Sequence, residues 1–227
     1  MTTLTLQGGH MTKTNSNTQS KIIEHPHTSS EPLGDDDPRT PMARAVALAG
    51  AVIAELDATN ETNPSPCPEW DAGHIARHIV AVLDRVAGFP QGIDGDTLPL
   101  VVDLPEVADG ASPYSTAFTA SAHEVQRIWS DDAVLSQMLK LPWAELPGGI
   151  ALSIYTCELT VHTWDLAQAL AVEPQWYEPD VAKCVEVMQF GLPAEPRDDD
   201  TPFGPVVEVP QDAPNIDKLV AWVSRQP

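Results

Sequence analysis

The stretch GGIALSIYTCELTVHTWDLAQAL, residues 148–170, constrains the fold more than any other part of the chain. It contains no proline, and Ile150, Leu152, Ile154, Val161, Trp164 and Leu166 fall on every side of a helix drawn through it. A helix that is apolar all round is a buried helix. Yet this one carries Glu158, His162 and Asp165 in its middle. A carboxylate buried without a partner costs on the order of several kcal/mol, so something must compensate these groups.

Other segments show helical spacing around it. TPMARAVALAGAVIAEL (40–56) places Pro41 in a first turn and then repeats apolar residues at helical intervals. Asp71 suits the cap of a second helix, AGHIARHIVAVLDRVAG, ending near Gly88. SPYSTAFTASAHEVQRIWS (112–130) reads as a third, and the opening stretch, running to about Ala171, as the fourth. PDVAKCVEVMQFG offers a further helix, and TPFGPVVEVPQDAPNIDKLVAWVSRQP an extended, strand-like piece followed by a closing helix. NETNPSPCPEW, FPQGIDGDTLP and LPWAELPGG are turn-rich connectors. The expectation is an all-α bundle over residues 40–227, with a small C-terminal strand and helix extension. Residues 1–39, rich in Thr, Ser, Asn, Pro and Asp, are expected to form a disordered tail in which His10, His25 and His27 are solvated.

Charge narrows the partners. Twelve basic residues stand against 33 acidic ones, a formal charge of -21. Such a surface repels phosphate backbones and anionic lipid, which argues against nucleic-acid and membrane-surface binding. The three cysteines, Cys67, Cys157 and Cys184, are odd in number and form no CxxC pair. With no apolar leader at the N-terminus, that usage points to the cytoplasm.

The polar residues fall into two helical pairs. Glu158 and His162 are four apart, so they lie one above the other, and Asp165 continues the row. A buried hydrogen-bonded Glu–His pair would explain them. So would a metal ion, to which ExxxH offers an oxygen and a nitrogen. The second helix supplies His74 and His78, again four apart. His78, set among Ile75, Ile79 and Val82, turns toward the core as a structural histidine or a third ligand. His74, in the first turn, could be a fourth ligand, a proton shuttle or a solvated side chain. Asp165 either orients a ligand imidazole or pairs with Arg77 or Arg85. Trp70 and Trp164 read as core anchors, and Cys157, one residue before Glu158, as a small buried hydrophobe.

Three motifs in register carry a resemblance covering roughly residues 41–227. PCPEWDAGHIARHIV resembles the P-C-P-x-W motif, with His eight residues after Trp, of the DinB/YfiT-like superfamily. ELTVHTWDLAQAL and TPFGPVVEVPQDAP are similar to motifs of its actinobacterial branch, related to mycothiol-dependent maleylpyruvate isomerase. The resemblance implies a DinB-like four-helix bundle with a divalent metal held by His78, Glu158 and His162. Zinc comes first, with nickel, iron, manganese or copper as alternatives. That family's usual site has no counterpart of His74; many members carry an acidic residue there.

Three protein ligands leave room for a reactant. The implied activity joins a low-molecular-weight thiol, mycothiol, activated as a metal-bound thiolate, to a small electrophile. A thiol that departs afterwards makes the enzyme an isomerase; one that stays makes it a thiol S-transferase. His74 and Asp165 are the candidate catalytic auxiliaries. A metal-binding protein without thiol chemistry and a metal-hydroxide hydrolase are the alternatives, and a homodimer stays open.

Overall fold

Helices form where the apolar spacing and caps place them. The computed structural model describes residues 20–24, 33–34, 36–197 and 203–227. In chain order the elements are β1 (Lys21–Ile23), α1 (Arg39–Ile53), α2 (Ala72–Gly88), α3 (Pro113–Trp129) and the short α4 (Ala133–Ser136). Then come β2 (Met138–Lys140), β3 (Glu145–Pro147), α5 (Gly148–Leu170), β4 (Val172–Pro174), α6 (Glu178–Gly191) and α7 (Asn215–Trp222). Asp71 caps α2 by accepting from the His74 N–H at 2.8 Å. Ser112 caps α3, with Pro113 in its first turn.

Four helices close a ring: α1 packs on α5, α5 on α2, α2 on α3, and α3 returns to α1. This is the all-α, DinB-like bundle the motifs imply. On its outer side α5 is covered by α6, which carries α7. The second layer explains why α5 lacks a polar face. Leu152, Leu159 and Leu166 enter the bundle core with Ile53, Ile75, Ile79 and Leu83. Cys157, Val161 and Trp164 face the other way, into a separate cluster with Val181, Cys184, Leu219 and Val220. Each fully buried leucine contributes about 1.5–3 kcal/mol, so both layers reward the same pattern.

Three details depart from the sequence expectation. Within the stretch expected to be disordered, Lys21–Ile23 forms a parallel pair with β4, Ile22 opposite Glu173, and Ile23 is buried. A three-residue strand is too short for a sequence pattern to reveal. The LPWAELPGG connector contains most of an antiparallel hairpin, Met138 opposite Pro147 and Lys140 opposite Glu145. Among the described residues, the extended piece before α7 forms no ladder strand; it is tied down by the Val207 N–H to the Ala221 carbonyl at 2.9 Å. His10, His25 and His27 lie outside the described residues. Among the described residues, no helix is long and apolar enough to cross a membrane.

The start of α5 depends on one glycine. A Cβ on Gly148 would lie 2.0 Å from the Val134 carbonyl oxygen, because the backbone of α4 presses directly on this turn. The Gly148 N–H donates to Gln137 O at 2.9 Å. At Gly149 the nearest atoms to such a Cβ are 3.5 and 3.6 Å away, an ordinary contact. Gly148→Ala should therefore cost about 1–3 kcal/mol or more, lowering Tm by roughly 5 °C, as overpacking does. Gly149→Ala should leave Tm unchanged or slightly raised, since alanine favours the helix. Equal melting of the two variants in calorimetry would contradict this account.

Candidate metal centre

The loop before α2 sets the first wall. Ser65 Oγ accepts from the Cys67 N–H at 3.0 Å and donates to the Trp70 carbonyl at 2.6 Å. The Ala72 and Gly73 N–H groups reach back to the carbonyls of Asn63 and Glu61. The turn so fixed lays the Trp70 ring 4.6 Å from the His78 ring and 6.1 Å from His162, centroid to centroid. The two imidazoles are themselves 4.6 Å apart and nearly perpendicular.

Each imidazole is oriented from behind. His78 Nδ1 lies 2.7 Å from the Leu100 carbonyl, which can only accept, so Nδ1 carries the proton. In the neutral ring Nε2 is then a lone pair, and it faces Glu158 Oε1 at 3.5 Å. His162 Nδ1 lies 3.0 Å from Asp165 Oδ2, which likewise leaves its Nε2 as the lone pair. Burial, outweighing the carboxylates nearby, lowers the His162 pKa and favours the neutral ring.

Asp165 is fully buried, and its partner comes from beyond α7. Arg225 donates to it from Nη2 at 2.8 Å and from Nε at 3.2 Å. Burial alone would raise the Asp165 pKa; the hydrogen bonds from His162 and Arg225 reverse that and keep it ionised. The expected partners are engaged elsewhere. Arg85 donates to the carbonyls of Leu98 and Pro99, and Arg77 Nε to Gly73 O at 3.4 Å.

One ligand-type atom from each of His78, Glu158 and His162 lies within 4.8 Å of the other two. His78 and His162 are buried, while the Glu158 side chain keeps about a third of its surface (34%) open. Burial pushes the Glu158 carboxyl up, but its contact with His78 and the nearness of His162 and Arg85 outweigh that and hold the group below its ordinary pKa. The fit to a cation follows from the donor set. Two imidazole lone pairs and a carboxylate converge, and each can only accept. His74 is not part of this group: its side chain is 44% exposed and its Nδ1 lies 2.7 Å from Asp71 Oδ1.

Cys157 faces the outer cluster, away from the three candidate ligands. Its contact with Cys184, together with burial, pushes the thiol well above its ordinary pKa. Trp164 is buried in the outer cluster, as an anchor should be. Trp70, expected as an anchor, also lies over both histidines; its place directly before the cap of α2 was the available signal. Arg225 was missed because a lone arginine near the C-terminus carries no spacing that links it to Asp165. The Leu100 carbonyl left no trace, since a backbone acceptor has no side-chain signature.

A His–Glu–His cluster between two helices of a ring of four, backed by a buried Asp–Arg pair, marks the protein as a DinB-like helical bundle. More narrowly, the chain belongs to the mycothiol maleylpyruvate isomerase N-terminal domain family, whose model matches residues 42–167. Two proteins of Mycobacterium tuberculosis, from different strains and both described as uncharacterized, are each 27% identical over 195 residues. The match covers 83% of this chain and 98% of each relative. A crystal structure of the mycothiol-dependent maleylpyruvate isomerase is similar in fold, with a TM-score of 0.51 and 15% identity. That likeness covers 71% of this chain and 69% of the other.

Replacing Arg225 by alanine strands a buried carboxylate and frees His162 to rotate. The loss of stability should be about 3 kcal/mol, as for other broken buried pairs, with a 10- to 100-fold loss in metal affinity. Denaturant melts and a competition titration with a chelating dye measure the two effects separately. Unchanged affinity in folded variant protein would remove the positioning role.

Proposed function

We propose that His78, Glu158 and His162 bind a divalent cation, zinc first, and that the protein is an enzyme using a low-molecular-weight thiol on a small electrophile. The observation that carries this reading is the convergence of three acceptor atoms, two of them fixed by Nδ1 hydrogen bonds to Leu100 O and Asp165. Family membership and the mycothiol-dependent isomerase of similar fold support mycothiol as the thiol.

A divalent cation held there would supply Lewis acidity, which lowers the pKa of a thiol from about 8.5 so that it reacts as thiolate near neutral pH. The chain's own residues do the rest. Glu158, whose side chain is about a third open (34%), would hold the ion and bring it negative charge. Asp165 touches no reactant; with Arg225 it holds His162 in one orientation. His74 sits one turn before His78, and its Nδ1 is bound to Asp71, so Nε2 can take up the proton the thiol gives. Trp70 covers the two imidazoles and limits water on that side.

Thiol addition followed by departure yields an isomerase, and addition alone an S-transferase. His78→Ala or His162→Ala should abolish metal retention, measured by elemental analysis of protein purified without chelator. His74→Ala should retain the metal and slow thiol consumption about 100-fold, in keeping with the loss of a general base. Assays with mycothiol, with glutathione and without thiol check the chemistry. Turnover that needs no thiol would mean a metal-hydroxide hydrolase, and metal-loaded protein inert toward every thiol and electrophile would leave a binding protein.

A further inference from the structure

α2 and α5 run past each other in opposite directions through the cluster. The His78 and His162 rings lie 4.6 Å apart at one level, and the Phe89 and Tyr155 rings 5.5 Å apart at another. Arg85 follows His78 by two helical turns and Tyr155 precedes His162 by two, so each shares a helix face with its histidine. Both therefore lie on one side of the cluster, toward the end of α2 and the start of α5. Glu158 stands between Tyr155 and His162 along α5. Arg85 and Glu158 both act on the ionisation of the Tyr155 phenol, and Arg85 on that of Glu158, so the three side chains are neighbours.

Two of the three are buried donors with capacity left over. Arg85 is 8% exposed and Tyr155 5%. Arg85 donates from Nη2 to the neutral carbonyls of Leu98 and Pro99, at 3.1 and 2.9 Å. Among the described residues, Nε and Nη1 have no hydrogen-bond partner and the guanidinium pairs with no carboxylate; the Tyr155 hydroxyl has no partner either. These atoms are not sealed in. The fully enclosed side-chain nitrogens and oxygens without a partner are, among the described residues, Arg197 Nη2 and Ser224 Oγ. Burial and Glu158 push the phenol's pKa up against the pull of Arg85, so near neutral pH it remains a protonated donor.

A guanidinium is always charged, and burying one against neutral carbonyls alone is costly. Glu158 is a negative charge near it, but a cation held by His78, Glu158 and His162 would claim that carboxylate. The ion and Arg85 together would then leave an excess of positive charge that one thiolate does not neutralise.

We infer that Arg85 Nε and Nη1 and the Tyr155 hydroxyl form an oxyanion subsite beside the cluster, which receives a negatively charged oxygen of the electrophile, as of a carboxylate. This rests on the thiol reading above and adds to it the residues that hold the second reactant. A forked guanidinium and a phenol offer donors from two helices, which suits an oxygen anion better than a neutral group.

The test is calorimetric binding of two unreactive thioethers, the S-carboxypropyl and S-carbamoylpropyl conjugates of mycothiol, to zinc-loaded full-length protein. They match in shape and differ in charge. The carboxylate should bind about tenfold more tightly or better, as charge-assisted hydrogen bonds allow. Arg85→Gln should bring the two close to equality and Tyr155→Phe should narrow the ratio several-fold, with zinc content and Tm measured alongside. Tyr155→Phe removes one oxygen from a ring that keeps its place against Phe89, so it tests the subsite even if Arg85→Gln does not fold. Equal binding in wild-type protein, or a ratio that neither variant moves because the carboxylate sits on the metal, overturns the subsite while the thiol reading stands. Preference lost together with zinc in Arg85→Gln, and unchanged in Tyr155→Phe, makes Arg85 a support of the 98–100 segment and also overturns it. Binding of neither conjugate removes the thiol reading and the subsite with it.

Discussion

The structure turns on the burial of α5 between two apolar layers. With the bundle on one side and α6 and α7 on the other, the helix leaves its ionisable residues little water. Each must find its counter-charge in the fold or from outside it. Asp165 finds it in the fold, through Arg225. Glu158 meets two imidazoles whose Nδ1 atoms are spent on Leu100 O and Asp165. That difference separates a structural carboxylate from a candidate ligand on the same helix, two turns apart.

The hydrogen bonds behind the histidines matter as much as the histidines. An imidazole free to flip presents either nitrogen and loses the convergence of lone pairs. Here a loop carbonyl fixes one ring and a buried ion pair fixes the other. The second device spans the molecule, because Arg225 lies just past the last helix while His162 stands in the middle of α5. The closing segment is thus part of the site's support, although it brings no atom to the cluster.

The cysteines complete the contrast. Cys157 neighbours Glu158 in sequence but faces the outer layer with Cys184, where burial keeps it a protonated hydrophobe. Burial also raises the pKa of Cys67. Among the described residues the cluster includes no cysteine, which is in keeping with the proposed role of mycothiol.

Much of this was legible in the residues. The four-residue spacings of Glu158 with His162 and of His74 with His78 require only helical geometry, and the absence of a polar face on α5 requires burial on all sides. Asp71 as a cap and the order of the helices follow from local preferences that tertiary packing did not override. The short strands were not legible, since three residues carry no period, nor was the tie between Lys21–Ile23 and β4. The sequence alone determined which side chains share a helical face, because that depends on a fixed rotation per residue. Only the tertiary structure decided which of them meet. It gave Asp165 to Arg225 rather than to Arg77 or Arg85 and brought the Leu100 carbonyl to His78. Those pairings join residues up to 60 positions apart, and no local rule reaches that far.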